Sequence, residues 1–237
     1  MKLVVVGGQA RKVGKTSVIA GLIRGLNTLA WTAVKVSHHD DDIASQDTPL
    51  GDDLPGSGLI GDVEPGLAPV QAAPRGDPTG DLGYDHLPAN ADFLLSEERD
   101  ANGHGDTALY LAAGARRALW LQVRGGGLAR ALPGLLTALE GTEHVIMESN
   151  SVLAFLKPAL YVLVLDESQD DFKASARQFL ERADAFVTLR PDFTPRPWPG
   201  ISPQIFESKS LFKISEGERA RAALCRFVNE RLALAGA

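Results

Sequence analysis

The sequence predicts an α/β fold in which a mostly parallel sheet is covered by helices on both faces. Three observations lead there. Short apolar runs alternate with helical patterns through most of the 237 residues, as expected for buried parallel strands joined by helical crossovers. The first apolar run ends in glycines and passes directly into a helix-like stretch. Carboxylates and histidines follow later apolar runs, on the strand edge where open sheets of this kind bind their ligands.

Taken in order, Leu3–Val6 is a buried strand and Ser17–Leu26 the first helix. Ala33–Val36 is the second strand. From Ser45 to Asn90 no helical or strand period persists, and prolines recur at 49, 55, 65, 69, 74, 78 and 88 among glycines and aspartates. That stretch reads as a flexible insertion in a single domain spanning 1–237, or as a lid that orders on binding. Thr107–Ala115 is helical, Leu119–Val123 a strand, Leu128–Leu139 a helix and His144–Met147 a strand. Tyr161–Leu165 is a strand, Phe172–Arg182 a helix and Ala185–Leu189 the last core strand. Gln204–Phe206 reads as a short edge strand and Glu216–Leu234 as the closing helix.

The segment Gly7-Gly8-Gln9-Ala10-Arg11-Lys12-Val13-Gly14-Lys15-Thr16-Ser17 carries the most chemistry. A strand, a glycine-rich loop and a helix N-terminus in that order form a phosphate cradle, because loop and helix N–H groups converge on the anion. This extends the fold expectation to a three-layer P-loop NTPase. Gly8, Gln9, Arg11, Lys12, Val13, Gly14, Lys15, Thr16 and Ser17 are the candidate contacts to GTP or ATP. Lys15 would reach the β- and γ-phosphates, and the Thr16 hydroxyl would ligate Mg²⁺. The spacing is irregular: Gln9 stands five residues before Gly14, where the pattern has glycine, so the loop is one residue longer or shifted.

Other polar residues are expected on the same edge. Lys35-Val36-Ser37-His38-His39-Asp40-Asp41-Asp42 follows the second strand, and Asp40 or Asp42 could hold Mg²⁺; a plain solvated loop is the alternative. Glu148 ends the His144–Met147 run and is a second metal candidate, with Asp166 a third. Lys15, Glu148 and Asp40 form the candidate catalytic set; Thr16, Glu148 and Asp40 form the candidate metal set. Asp106 or Thr107 is placed to cap a helix, and Arg116 and Arg117 to sit at its C-terminus or on a phosphate. Asp192, after the last core strand, could read a guanine base or simply lie in a turn.

A net charge of −6 argues against a broad surface for nucleic acid or anionic membrane. The single Cys225 can form neither an internal disulfide nor a cysteine metal cluster. With no apolar signal core at the N-terminus and no run long enough to span a bilayer, a cytoplasmic location is expected.

Taken together, Gly14-Lys15-Thr16, Lys35 with His38-His39-Asp40 and Asp42, Gly105-Asp106-Thr107 ahead of Ala113-Gly114-Ala115, and Glu148 resemble the MobB family of molybdopterin guanine dinucleotide biosynthesis, over scattered parts of the first 150 residues. The family has Lys-His where this chain has Lys35-Val36, and Gly after the glutamate where it has Ser149. The resemblance implies GTP binding with weak hydrolysis, Mg²⁺, a homodimer and a nucleotidyltransferase partner in molybdenum cofactor maturation. The wider class looks like the one that includes dethiobiotin synthetase, which implies an alternative: an ATP-dependent small-molecule kinase or ligase. In that case His38, His39, Asp40 and Asn150 would bind the acceptor. A third possibility is a non-catalytic nucleotide-binding module.

Overall fold

A computed structural model describes residues 1–39, 71–72, 87–88, 91–195 and 198–235. Asp40 and Asp42, candidates for the metal, lie outside the described residues, as does nearly all of the 45–90 segment.

The elements in chain order are β1 (Lys2–Gly8), α1 (Lys15–Gly25), β2 (Trp31–His39), β3 (Gln71–Ala72), β4 (Phe93–Glu98), α2 (Asp106–Ala112), β5 (Arg117–Arg124) and α3 (Leu128–Ala138). They continue with β6 (His144–Glu148), a 3₁₀ turn at Ser151–Ala154, β7 (Leu160–Leu165), α4 (Ala174–Gln178) and a 3₁₀ turn at Leu180–Arg182. The last are β8 (Ala185–Thr188), α5 (Gln204–Glu207), β9 (Ser210–Lys213), a 3₁₀ turn at Ile214–Glu216 and α6 (Glu218–Leu234). The strands make one sheet in the order β3-β4-β5-β2-β6-β1-β7-β8-β9. Every neighbouring pair is parallel except β4 with β5. This is the expected α/β arrangement, a mostly parallel sheet with helices on both faces.

The period of two along each strand divides the core into two layers. Val4, Val6, Ala33, Ile146, Val162, Val164 and Val187 face one side, where they bury Ile19, Leu22 and Ile23 of α1, Tyr110 of α2, and Leu224, Val228 and Leu232 of α6. Leu3, Val5, Val34, Val145, Met147, Leu163 and Phe186 face the other side, against Leu132 and Leu135 of α3, Phe172, Ala176 of α4 and Phe206 of α5. The central strands β1, β6 and β7 are covered on both faces, which is why they read as unbroken apolar runs.

Several expectations are corrected. Gln204–Phe206 is helical, and the edge strand is Ser210–Lys213. Isoleucine and phenylalanine in 204–206 mimic a strand, but Phe206 is buried as part of a single helical turn beside Phe186 and Trp198. Phe172–Arg182 holds only a short helix and a 3₁₀ turn. The strand Phe93–Glu98 was not expected, because Ser96, Glu97 and Glu98 hide its period; Glu97 pairs with Arg117 across the antiparallel ladder at 2.8 Å. That pairing also accounts for Arg117, which opens β5 rather than closing a helix. Strand β2 runs on through His39, so Lys35, His38 and His39 belong to the sheet and not to a loop after it. Helix α1 starts at Lys15, two residues earlier than expected.

Candidate functional site

Parallel strands place the carboxyl ends of β1, β2, β5, β6, β7 and β8 on one edge, and the loop from Gly8 to Gly14 emerges there from the middle of the sheet. Helix α1 makes its first intrahelical bond from Val18 N–H to Gly14 O at 3.1 Å. The N–H groups of Lys15, Thr16 and Ser17 therefore precede the helical ladder and point out of the helix end. Two left-handed residues bend the loop, Lys12 (φ 60°) and Gly14 (φ 90°). At Gly14 glycine is required twice over: the backbone is left-handed, and an added Cβ would lie 2.8 Å from Leu189 Cδ1. Turned backbone of this kind, running into a helix N-terminus, gives the concave N–H arrangement that suits a phosphate.

Each candidate contact can now be placed. Arg11 and Lys12 are exposed cations in the loop, and Ser17 is exposed in the first turn of α1. The Val13 side chain is buried in the α1 core layer, so only its backbone faces the loop interior. Gly8 and Gln9 have hydrogen-bond partners within the fold. Gly8 N–H donates to Asn150 Oδ1 at 3.0 Å, and Asn150 Nδ2 donates back to Gly8 O at 2.9 Å. Gln9 N–H donates to Val164 O at 3.0 Å, extending the β1–β7 ladder. Its buried side chain accepts from Asp166 N–H at 2.9 Å and donates to the carbonyls of Asp166, Gln169 and Asp171 at 3.0, 3.3 and 3.3 Å. Glutamine at this position fastens the segment after β7 to the loop, a task glycine could not perform.

The loop meets one carboxylate. Glu148, at the end of β6 and buried, accepts from Thr16 Oγ1 on Oε2 at 3.2 Å, while Oε1 lies 3.5 Å from Lys15 Nζ. The Tyr110 hydroxyl, fully buried on α2, donates a short hydrogen bond to the same Oε2. Burial first, and the neighbouring Glu148 carboxylate second, hold the Tyr110 phenol well above its ordinary pKa, so it stays a donor. Tyr110 did not stand out in the sequence. Its one signal is position, four residues after Asp106 and thus on the same helix face.

Beside Glu148 in the sheet register stands Lys35, whose ammonium pairs with Asp106 on the first turn of α2 and lies 5.6 Å from the centre of the Trp120 ring. Asp106 is therefore an ion-pair partner and not a cap; Gly105 occupies the N-cap position. On the opposite face of β2, His38 Nε2 lies 2.7 Å from Ser151 Oγ, which lies 3.1 Å from Ser149 Oγ. Asn150 does not join this polar edge, since its amide is occupied by Gly8.

The Asp166 side chain is held by Ser168 and Arg190. Its Oδ1 accepts from Ser168 N–H and Oγ at 3.0 and 2.7 Å and from Arg190 Nε at 3.2 Å. Burial pushes its pKa up, but these hydrogen bonds outweigh it and hold the carboxyl below its ordinary value. Asp192 is exposed in the turn after β8. A groove of about 400 Å³ beside α1 is lined by Ser17, Gly21, Leu189, Ile214, Arg221 and Leu224.

Thr16 and Glu148 offer hard oxygen donors beside the phosphate cradle, which matches the preference of Mg²⁺ for one or two protein oxygens plus substrate phosphates. Among the described residues, no group of three or more His, Cys, Asp or Glu side chains forms a metal cage of its own.

No protein-family model matches the chain, and no curated protein matches it in sequence. Among solved structures, the apo form of LpxK from Aquifex aeolicus in complex with ATP is similar to it, with 16% identity and a TM-score of 0.43 over 89% of this chain. The match covers 53% of that structure, so this chain spans about half its length.

Proposed function

We propose that the chain binds a magnesium nucleoside triphosphate at the Gly8–Ser17 loop and catalyses its slow hydrolysis, in which water takes the terminal phosphoryl group and the nucleoside diphosphate leaves. One observation carries the reading: Lys15, Thr16 and the buried Glu148 converge at the N-terminus of α1. Lys15 and the N–H groups of residues 15–17 would bind the β- and γ-phosphates and stabilise charge as the terminal group departs. Thr16 and Glu148 would hold the metal, with Asp40 a further candidate ligand. Bound Mg²⁺ would add neutralising charge at the β- and γ-oxygens. The groove beside Ser17, which Leu189, Ile214 and Leu224 line together with Arg24 and Arg221, would receive the nucleoside.

The MobB-like role is the finer form of this proposal: GTP as the nucleotide, a homodimer, and assistance to a nucleotidyltransferase in molybdenum cofactor maturation. It rests on the sequence resemblance, including Lys35, His38 and Glu148. The second reading is a small-molecule kinase or ligase, favoured by the polar row of His38, Ser151 and Ser149 on the same sheet edge.

Incubation with Mg²⁺ and either GTP or ATP, followed by product analysis, separates these readings. Slow release of phosphate, faster with GTP and stimulated by a molybdopterin nucleotidyltransferase, supports the MobB-like role. Faster turnover with ATP only when a metabolite acceptor is supplied supports the kinase or ligase. No conversion of either nucleotide to its diphosphate under any of these conditions contradicts both.

A further inference from the structure

We infer that Tyr110 is a positioning residue for Glu148, fixing which carboxylate oxygen faces the magnesium nucleotide. The inference rests on the nucleotide reading above. Oε2 of Glu148 receives two hydroxyls, from Tyr110 and from Thr16. A carboxylate oxygen has room for about two such donors, so Oε2 is filled. Oε1, beside Lys15 Nζ at 3.5 Å, is the oxygen left for the phosphate side. Ligand carboxylates are commonly oriented by an outer hydrogen-bond partner that does not itself touch the metal, and of the two donors Tyr110 is the one in that position.

The donor is well braced. Tyr110 is fully buried in the core layer that its helix shares with α1 and the sheet. The first turn of its helix is tied to β2 through Asp106 and Lys35, and to β4 through Thr107 Oγ1, which donates to Glu98 Oε2 at 3.2 Å. A phenyl ring would fill the same volume. Packing therefore explains the ring, while the hydroxyl is explained by Glu148. The same helix thus holds the two neighbouring charged side chains of β2 and β6, Lys35 and Glu148, at the end of the sheet.

The test is Tyr110→Phe in the full chain, which removes one oxygen and leaves the packing. ATP and GTP binding is titrated at a series of Mg²⁺ concentrations and also in EDTA, with a thermal melt as the folding control. The expected result is a rise of about tenfold in the Mg²⁺ needed for half-maximal nucleotide binding, the scale seen when an outer partner of a metal ligand is lost. Metal-free nucleotide affinity stays as in wild type, and the melt remains one cooperative transition, lowered only by the loss of a single buried hydrogen bond. In a Glu148→Gln background, where metal binding is already weakened, Tyr110→Phe adds no further change. A Tyr110→Phe protein with wild-type Mg²⁺ dependence overturns the inference and leaves the nucleotide reading intact. So does an undiminished effect of Tyr110→Phe in the Glu148→Gln background. A wild-type chain without Mg²⁺-dependent nucleotide binding overturns the nucleotide reading, and this inference with it.

Discussion

Gln9 shows how one side chain decides the shape of the site. A buried amide must satisfy both its oxygen and its nitrogen, and Gln9 does so with one N–H and three carbonyls from 166 to 171. Replacing it with alanine would leave those backbone groups without their partner. Gln9→Ala is expected to destabilise the fold by about 2 kcal/mol, from the lost bonds and the stranded groups together. Urea denaturation measures it; a loss below about 0.5 kcal/mol would mean that other groups, or water, readily replace the amide. Gly7 is as constrained by space as Gly14 is by dihedral angle: a Cβ there would fall 2.0 Å from Asn150 Oδ1. The sequence shows Gln9 only as an exception to a glycine pattern, because its partners lie more than 150 residues away.

At the scale of elements, the legible parts are those whose chemistry is local. Apolar runs of Leu3–Val6 and Tyr161–Leu165 type announce buried strands, and the lysine and threonine after Gly14 announce a helix start beside a loop. Glu148 could be placed on the same edge because it ends such a run. Strand β4 was hidden because its glutamates are used in cross-strand and helix contacts, with Arg117 and Thr107. Helix α5 was hidden because a single turn has no period to read. The ends of β7 and β8 are joined by Asp166 and Arg190, at 3.2 Å. The folded-state pKa of Asp166 lies below its ordinary value, held there first by the Ser168 hydrogen bonds and then by Arg190, so the ionised carboxylate contributes fully above a pH of about 4. The contribution is lost as pH falls through the folded-state value and the carboxylate takes up its proton. Asp166→Asn should therefore be less stable than wild type near neutrality, with the gap narrowing as pH falls from about 5 towards about 2. Denaturation midpoints at several pH values check this; a gap that stays constant would show that the carboxylate charge contributes nothing.

Across the whole molecule, the fold brings together residues that the chain keeps far apart. Lys15 and Thr16 follow the first strand, Tyr110 lies on the second helix and Glu148 ends the sixth strand, yet all meet at one oxygen pair. That convergence follows from strand order: β1 lies between β6 and β7, so the loop after β1 opens beside the ends of both. Among the described residues no helix is long and apolar enough to cross a membrane. The central claim is that this convergence is a site for a magnesium nucleotide, and calorimetric titration of ATP and GTP with Mg²⁺ tests it most directly. Wild type is expected to bind at least one of them. Lys15→Ala, which removes the ammonium proposed to bind the β- and γ-phosphates, is expected to lose about tenfold or more in affinity while keeping its melting temperature. A Lys15→Ala protein that binds as tightly as wild type, or a wild type that binds neither nucleotide, would contradict the account.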